Sequence, residues 1–313
     1  MGAASLAPDS SEPALLVSEA AKAEDGLLHH MLMFLGAVVL AGIAILYREV
    51  VQELVRVWST DTNYSHGFLI PPIAAFLAWE RRDRFLAAAP RPALAGLVIV
   101  GGSALVVALG GSEFLTRVSL VAAVGGAVLA VFGWERFLAV AFPLAILLLM
   151  IPLPAPVFDL LESPLRIATS VFSEALIRTA GIPVLRDGNL LALGNVTLEV
   201  AKECSGIRTT ISLVVLGLAF GYSADPRRWP RLFVLALTVP VVILTNGMRV
   251  AATAVSAHFY GREAATGFLH DLYGWLAFAA AFATLVLIHR LLVRAAETRR
   301  PTPGTSANAY IHS

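Results

Sequence analysis

Long apolar stretches separated by short polar segments make up most of this chain. A membrane helix needs about 20 mostly apolar residues, and the pattern predicts about eight such spans. They lie at about 28–47, 67–79, 93–111, 115–132, 137–153, 206–222, 232–249 and 271–289. The second span is short and contains Pro71 and Pro72, which predict a kink or a longer span there.

One long segment, 154–203, does not fit a membrane span. In its first half apolar residues recur every three or four positions, which predicts an amphipathic helix with a break or kink at Pro164. Asp187-Gly188 and Gly194-Asn195 are typical of turns, and 196–201 alternates like a strand. The predicted fold is therefore an all-α polytopic membrane protein with a small amphipathic helix and a β-ribbon that leads to Cys204.

Composition supports a membrane protein. Of the 313 residues 58% are apolar and 14% are charged, whereas a soluble domain is about 45–50% apolar and about a quarter charged. This excludes an ordinary soluble enzyme and a nucleic-acid-binding chain. The segment 1–26 lacks the cationic and apolar regions of a cleavable signal peptide. We expect 1–26 to be a disordered cytoplasmic N-terminus, 27–292 a single transmembrane helical domain and 293–313 a cytoplasmic tail.

The basic residues predict how the helices are oriented. Twelve arginines follow the second, fourth, sixth and eighth spans: Arg81, Arg82, Arg84, Arg91, Arg136, Arg227, Arg228, Arg231, Arg290, Arg294, Arg299 and Arg300. All of them fall on one side if the spans alternate, and the positive-inside rule makes that side cytoplasmic. We therefore expect an inner-membrane protein with both termini inside and with 154–203 on the outer face.

Cys204 is the only cysteine, so an intrachain disulfide is excluded. Most free cysteines are small buried hydrophobes. However, Cys204 lies at the predicted N-terminus of a helix, where the helix dipole favours the thiolate, and Arg208 four residues later adds positive potential. A reactive and a structural cysteine are both compatible with this position.

Arg249 and His270 lie at the ends of the next two predicted spans. Arg249 is either an arginine that snorkels to the interface or, since Asn246 shares its helix face, part of a pocket that binds an oxyanion or a carboxylate. His270 either belongs to the polar interfacial belt or acts as a general acid/base. His66 and His258 are competing histidines on the same side, and His66, at a span boundary, is the stronger of the two.

The predicted topology places Cys204, Arg249 and His270 at the outer ends of three different spans. A nucleophile, an oxyanion or carboxylate binder and an acid/base together are suited to acyl transfer through a thioester. We expect neither an organic cofactor nor a metal, because no cluster of His, Cys and carboxylate residues has metal-ligand spacing.

Four motifs in order resemble the exosortase/archaeosortase family of polytopic membrane cysteine transpeptidases. They are YSHGFLIP at 64–71, ECSGIR at 203–208, NGMRV at 246–250, and His270-Asp271 with Gly274. The resemblance implies a catalytic set of Cys204, Arg249 and His270. We add Glu203, Arg208, Asn246 and His66 as supporting candidates. It also implies membrane-embedded substrates: exported proteins with a C-terminal sorting signal that consists of a short motif such as Pro-Glu-Pro, a transmembrane helix and a basic tail. It suggests a link to exopolysaccharide machinery.

Two other functions remain open from the sequence. In the first, the chain is a transporter or flippase subunit for a lipid-linked or polysaccharide precursor, with Arg208 and Arg249 binding a phosphate. Few polar residues inside the spans and no inverted repeat argue against it. In the second, Ser205 is the nucleophile of a rhomboid-like serine protease, although its surroundings lack the glycines of a G-x-S-x-G motif.

Overall fold

The apolar stretches of the sequence form long helices in the computed structural model. It describes residues 26, 30–31, 34–194, 196–200, 206–224, 228–261, 263 and 268–298. The helices are α1 (Phe34–Leu46), α2 (Arg48–Thr60), α3 (Ile70–Glu80), α4 (Arg82–Ala87), α5 (Leu94–Ala108), α6 (Glu113–Ile146), α7 (Ala155–Thr179), α8 (Ile207–Ala224), α9 (Arg228–Tyr260) and α10 (Phe268–Thr298). A 3₁₀ helix, Thr62–Phe68, precedes α3, and another, Leu147–Met150, follows α6.

Among the described residues, three helical segments are long and apolar enough to cross a membrane: Glu113–Met150, Leu232–Tyr260 and Asp271–Ala295. The pair α1 and α2, bent by 60°, makes a fourth if it forms one span. The prediction of about eight spans is not confirmed. One reason is that α3 has 11 residues and α5 has 15. At about 1.5 Å per residue, both are shorter than the roughly 30 Å hydrocarbon core.

The spans predicted at 115–132 and 137–153 meet in a single helix, α6, which is interrupted at Gly133. The backbone of Gly133 has φ 80° and ψ −176°, outside the helical region. A Cβ at this position would lie 1.9 Å from the carbonyl oxygen of Arg91, so only glycine fits. The break therefore falls where the sequence pattern separates the two apolar runs.

The chain forms two compact units, Met1–Leu54 with Ala78–Leu148 and Val55–Leu77 with Leu149–Ser313. In the first unit α5 packs closely on α6, where Gly96 and Gly126 bring the two backbones together. Its buried polar groups have partners, since the Tyr47 hydroxyl donates to the Ser103 carbonyl at 3.0 Å and lies 2.9 Å from Ser119 Oγ. The prediction of a single domain over 27–292 stays a prediction.

The second unit contains α7, which covers the segment where an amphipathic helix was predicted, and the β-ribbon. Helix α7 passes through Pro164 without ending there. The strands β1 (Leu185–Asp187), β2 (Leu190–Leu193) and β3 (Val196–Glu199) form an antiparallel sheet in the order β1-β2-β3. Gly188 turns the first hairpin with φ 59°. The predicted turn at Asp187-Gly188 and the predicted strand are thus confirmed, whereas the outer-face location is not tested by the fold.

Helix α9 continues 11 residues beyond the predicted end of its span at 249, to Tyr260. The extension carries small apolar side chains, and these pack against α7 and the sheet in one buried cluster. The members of the cluster are Ile177, Ile182, Val184, Leu191, Leu193, Val196, Val200, Val250, Ala251, Ala254 and Ala257. The sheet therefore lies against α9 directly after Arg249, and this contact explains why the helix does not stop where the apolar run was expected to end.

Candidate active site

A cavity of about 600 Å³ lies within the second unit, between the 3₁₀ helix Thr62–Phe68, α3, α8, α9 and α10. Its polar lining residues are Thr62, Ser65, His66, Arg208, Thr209, Ser212, Arg249 and Asp271. Its apolar lining residues are Leu69, Ile73, Val215, Leu216, Trp275 and Phe278. The volume is typical of a site that holds a small ligand or a short peptide segment.

Three predicted site residues meet at this cavity. Arg249, Arg208 and His66 come from α9, α8 and the 3₁₀ helix, and all three line it. Asn246 is 3% exposed and lies on α9 three residues before Arg249. The fold therefore brings together residues, His66 and Arg249, that are more than 180 positions apart in the sequence.

The other three candidates lie partly or wholly outside the described residues. Cys204 and Glu203 lie wholly outside the described residues. His270 belongs to the first turn of α10, but its side chain is not among those described. The next residue, Asp271, lines the cavity.

The NGMR motif of α9 holds Arg249 at the cavity through contacts on both sides of the helix. Gly247 faces α7, where an added Cβ would lie 2.5 Å from Phe172 Cδ1, and its carbonyl accepts a hydrogen bond from Ser173 Oγ at 3.0 Å. On α10, a Cβ added at Gly274 would lie 3.5 Å from Nε and Cζ of Arg249. The guanidinium of Arg249 therefore packs over the backbone of α10 at Gly274.

Gly206, two residues after Cys204, is tied to the same helix. Its φ of 86° is in the left-handed region, and a Cβ there would lie 2.9 Å from Val242 Cγ1 and 3.3 Å from Asn246 Nδ2. The Gly206 carbonyl accepts hydrogen bonds from Thr210 N at 2.8 Å and Thr210 Oγ1 at 2.9 Å. The turn after Cys204 is thus fixed against α9 at Asn246, one helical turn before Arg249.

The YSHG motif places His66 in a rigid setting. A Cβ at Gly67 would lie 2.3 Å from Trp58 Nε1, so the indole packs directly on this glycine. Trp58 Nε1 donates to the Met150 carbonyl at 3.0 Å, and its ring makes an edge-on contact with Phe68 at 5.3 Å between centroids. His66 is 6% exposed, and its Nδ1 is buried without a hydrogen-bond partner.

Burial lowers the pKa of His66 below its ordinary value, and the positive charge of Arg208 lowers it further. The backbone groups of Leu149 and Asn63 partly offset this effect. His66 is therefore neutral near pH 7. A neutral imidazole can accept a proton from a neighbouring acid.

The sequence analysis named Asp271 only as a neighbour of His270 in one motif, but the structure adds it to the cavity. Asp271, Gly274, Trp275 and Phe278 line the cavity from one face of α10. Their spacing of three, four and seven residues is the signal that would have identified this face. Within the part of the chain that the structure describes, no three His, Cys, Asp or Glu side chains are grouped as a metal site.

The cavity combines two guanidinium groups, the Asp271 carboxylate, several hydroxyls and a neutral histidine with an apolar wall. Guanidinium groups bind and stabilise carboxylates, phosphates and oxyanions. The apolar wall is suited to a side chain or to part of a membrane-embedded segment. The chemistry of the described residues therefore fits an anionic or developing anionic group held beside apolar material.

Comparison with known protein families gives one match. The family model described as transmembrane exosortase matches residues 58–287, a region that contains every lining residue of the cavity. No curated protein and no solved structure matches the chain. Together with the long apolar helices, the family match identifies a membrane protein. The chain belongs to the transmembrane exosortase family.

Proposed function

We propose that this exosortase-family protein is a membrane cysteine peptidase or transpeptidase that cleaves the C-terminal sorting signals of exported proteins. The observation that supports this most directly is the shared cavity of Arg249, Arg208 and His66, beside the turn that follows Cys204. Gly206, which contacts α9, follows Cys204 by two residues in the sequence.

In the proposed reaction the Cys204 thiolate attacks the scissile carbonyl carbon. Arg249 stabilises the oxyanion that forms on the carbonyl oxygen, or positions an acidic residue of the motif. His270 protonates the leaving amine as the carbon–nitrogen bond breaks, which leaves a thioester on Cys204. His270 then takes a proton from the incoming nucleophile, either water or an acceptor amine, which releases the product.

Glu203, Asn246 and Arg208 have supporting roles in this proposal. Asn246 contacts Gly206, and its proposed role is to hold the turn that begins two residues after Cys204 against α9. Arg208 adds positive charge beside the attacking thiolate, and Glu203 is adjacent to Cys204 in the chain. None of these roles needs a metal or an organic cofactor.

The proposal includes an orientation in the membrane. The arginine-rich loops predict that both termini are cytoplasmic, with eight crossings and with the segment 154–203 outside. The substrate helix then enters the bilayer beside the protein and presents its motif at the outer face of the inner membrane. A link to exopolysaccharide machinery belongs to the same proposal.

The test uses co-expression with a substrate that carries a C-terminal sorting helix, followed by measurement of substrate size. Wild type should process the substrate, whereas Cys204→Ala and Cys204→Ser should not. Ser205→Ala is the matched control and should process normally. Processing that persists in both Cys204 variants would refute the cysteine mechanism, and loss in Ser205→Ala alone would favour the serine protease.

The alternative function is a transporter or flippase subunit in which Arg208 and Arg249 bind a phosphate. One observation also supports it, since both arginines line the same cavity. A transporter or flippase would need these arginines but not the thiol. A transport phenotype that survives Cys204→Ala and vanishes in Arg249→Ala would therefore favour this alternative. Thiol labelling in intact cells gives a separate check on orientation, because an outer Cys204 should be labelled before the inner membrane is permeabilised.

A further inference from the structure

The cavity is open on one side, between α3 and α10. Helix α10 packs chiefly along α9, and α3 and α10 are not among the closely packed helix pairs of the described chain. Leu69, directly before α3, and Trp275, on α10, line the cavity, yet they are 60% and 75% exposed. Trp275 belongs to Asp271–Ala295, which is long and apolar enough to cross a membrane. The opening therefore lies along the first turns of a candidate span, where a membrane-embedded segment can enter from the side.

The cavity changes from polar to apolar along its length. On α8 the lining begins with Arg208 and ends with Leu216, which are eight residues apart, or about 12 Å along the helix. Helix α10 runs in the same direction, since Phe220 near the end of α8 contacts His289 far down α10, with 5.3 Å between ring centroids. Its lining likewise begins with a charged residue, Asp271, and ends with apolar ones. The ligand that fits has a polar or charged end and an apolar body about 12 Å long.

The two arginines of the cavity have different positions. Arg249 is half-buried, and its guanidinium packs over Gly274. Arg208 is exposed and lies in the first turn of α8, at the polar end of the cavity. The described lining contains a single carboxylate, that of Asp271, against these two cations, so it favours an anion. An exposed guanidinium at the polar end is well placed to capture a carboxylate, because it can bind both oxygens at once.

Hydroxyl groups at the polar end indicate a peptide ligand rather than a lipid. Ser65 Oγ donates to the Thr62 carbonyl at 3.0 Å, and its oxygen can still accept a hydrogen bond. Thr209 and Ser212 line the cavity from α8. The first four N–H groups of a helix have no partner within that helix, and the hydrocarbon core offers no water to bind them. Hydroxyl oxygens can accept from these groups, whereas an acyl chain has no N–H to donate.

We infer that the cavity binds the N-terminal turns of the substrate's transmembrane helix and that Arg208 binds a carboxylate just before that helix. This inference rests on the proposed function. It also resolves a choice that the proposed reaction leaves open, because Arg208 takes the acidic residue of the motif and Arg249 keeps the oxyanion. Arg208 is then a specificity-determining residue, and the apolar wall holds the helix that follows the motif.

Binding can be measured without cleavage in the Cys204→Ala protein, reconstituted at full length in nanodiscs. The probe is a fluorescent synthetic peptide with one glutamate directly before a helix of about 20 apolar residues and with a lysine tail. Arg208→Gln in this background should weaken binding by about 10- to 100-fold, as for a lost hydrogen bond to a charged group. Arg84→Gln, at an exposed arginine of α4 outside the cavity, is the matched control and should bind normally. Equal affinity in Arg208→Gln and its parent would overturn the inference.

A double-mutant cycle identifies the arginine that binds the carboxylate. A second peptide has glutamine in place of the glutamate, and both peptides are measured with each variant. Arg208→Gln should abolish the preference for the glutamate peptide, Arg208→Lys should keep part of it because the charge remains, and Arg249→Gln should keep it. A preference that survives in Arg208→Gln, or that is lost equally in Arg249→Gln, would contradict the inference.

Photocrosslinking locates the bound helix. Benzoylphenylalanine replaces Leu69 or Trp275, which line the cavity, or replaces Ala75 or Leu276, which are exposed outside it. The peptide should crosslink from the first pair and not from the second, and equal crosslinking from both pairs would refute the assigned site. Lipid adducts alone from the first pair, with the peptide present, would also overturn the inference and favour a lipid ligand. Failure of the proposed function is distinguishable, since it would show as substrate processing by Cys204→Ala whatever the binding results.

Discussion

Gly206→Ala tests whether the turn after Cys204 is held against α9 as described. Gly206 has φ 86°, and an added Cβ would lie 2.9 Å from Val242 Cγ1 and 3.3 Å from Asn246 Nδ2. A left-handed backbone costs a residue with a side chain about 1–2 kcal/mol, and overpacking of a buried contact costs about 1–3 kcal/mol. We therefore expect Gly206→Ala to lower the free energy of unfolding by about 2–5 kcal/mol.

The matched control is Gly217→Ala, within helix α8, which begins directly after Gly206. An added Cβ there meets nothing within 4 Å, so this substitution should not reduce stability. Both variants are purified in detergent, and their unfolding and their alkylation at Cys204 are compared with wild type. Gly206→Ala should melt at a lower temperature and should also process substrate more slowly, because the nucleophile segment moves relative to Arg249.

A double substitution separates the backbone cost of Gly206→Ala from its overpacking cost. Val242→Ala removes the methyl group closest to the added Cβ, so it should relieve the steric part of the Gly206→Ala loss but not the backbone part. The expected coupling between the two positions is about 0.5–3 kcal/mol. The described contact would be refuted if Gly206→Ala were as stable and as active as Gly217→Ala. Purely additive effects of the two substitutions would exclude the Val242 contact as the source of the loss.

Three further predictions concern the cavity. Arg249→Lys keeps the charge but loses the planar guanidinium, so processing should fall by about 10²–10³-fold with an unchanged melting temperature; wild-type turnover would contradict an oxyanion role. Gly274→Leu should displace the Arg249 guanidinium and reduce processing, whereas Gly274→Ala, at 3.5 Å, makes only ordinary contact and should process normally. Because the pKa of His66 is lower in the folded chain than in the unfolded chain, the unfolded state binds more protons. Stability should fall as the pH drops from 7.5 through about 6.5 and below, and less steeply in His66→Gln; identical pH dependence in the two proteins would refute this.

Local signals in the sequence predicted local structure well. Asp187-Gly188 encodes a hairpin because glycine takes the left-handed backbone without strain, and the structure has Gly188 at φ 59°. The alternation at 196–201 predicted β3, which ends at Glu199. The end of α9 was predicted wrongly at 249, because the packing of Ala251, Ala254 and Ala257 against a distant sheet leaves no signal in hydropathy alone.

The site was predictable in part. The motifs identified Arg249, Arg208 and His66, but only the fold brings them to one cavity, because 62–66, 208, 249 and 271–278 are far apart in sequence. Asp271 was missed as a lining residue because its neighbour His270 had the more obvious chemistry. The glycines at 67, 206 and 247 carry no chemistry of their own. Their importance comes from close contacts that a single sequence does not reveal.

The most direct test of the account is the capture of the thioester on Cys204. A sorting-signal substrate is incubated with the full-length protein in the presence of hydroxylamine, and the new C-terminus of the processed substrate is analysed by mass spectrometry. The account predicts a hydroxamate that forms with wild type and with Ser205→Ala, and that is absent with Cys204→Ala. Processed substrate without hydroxamate, or with hydroxamate formed by Cys204→Ala, would contradict a cysteine-bound acyl intermediate.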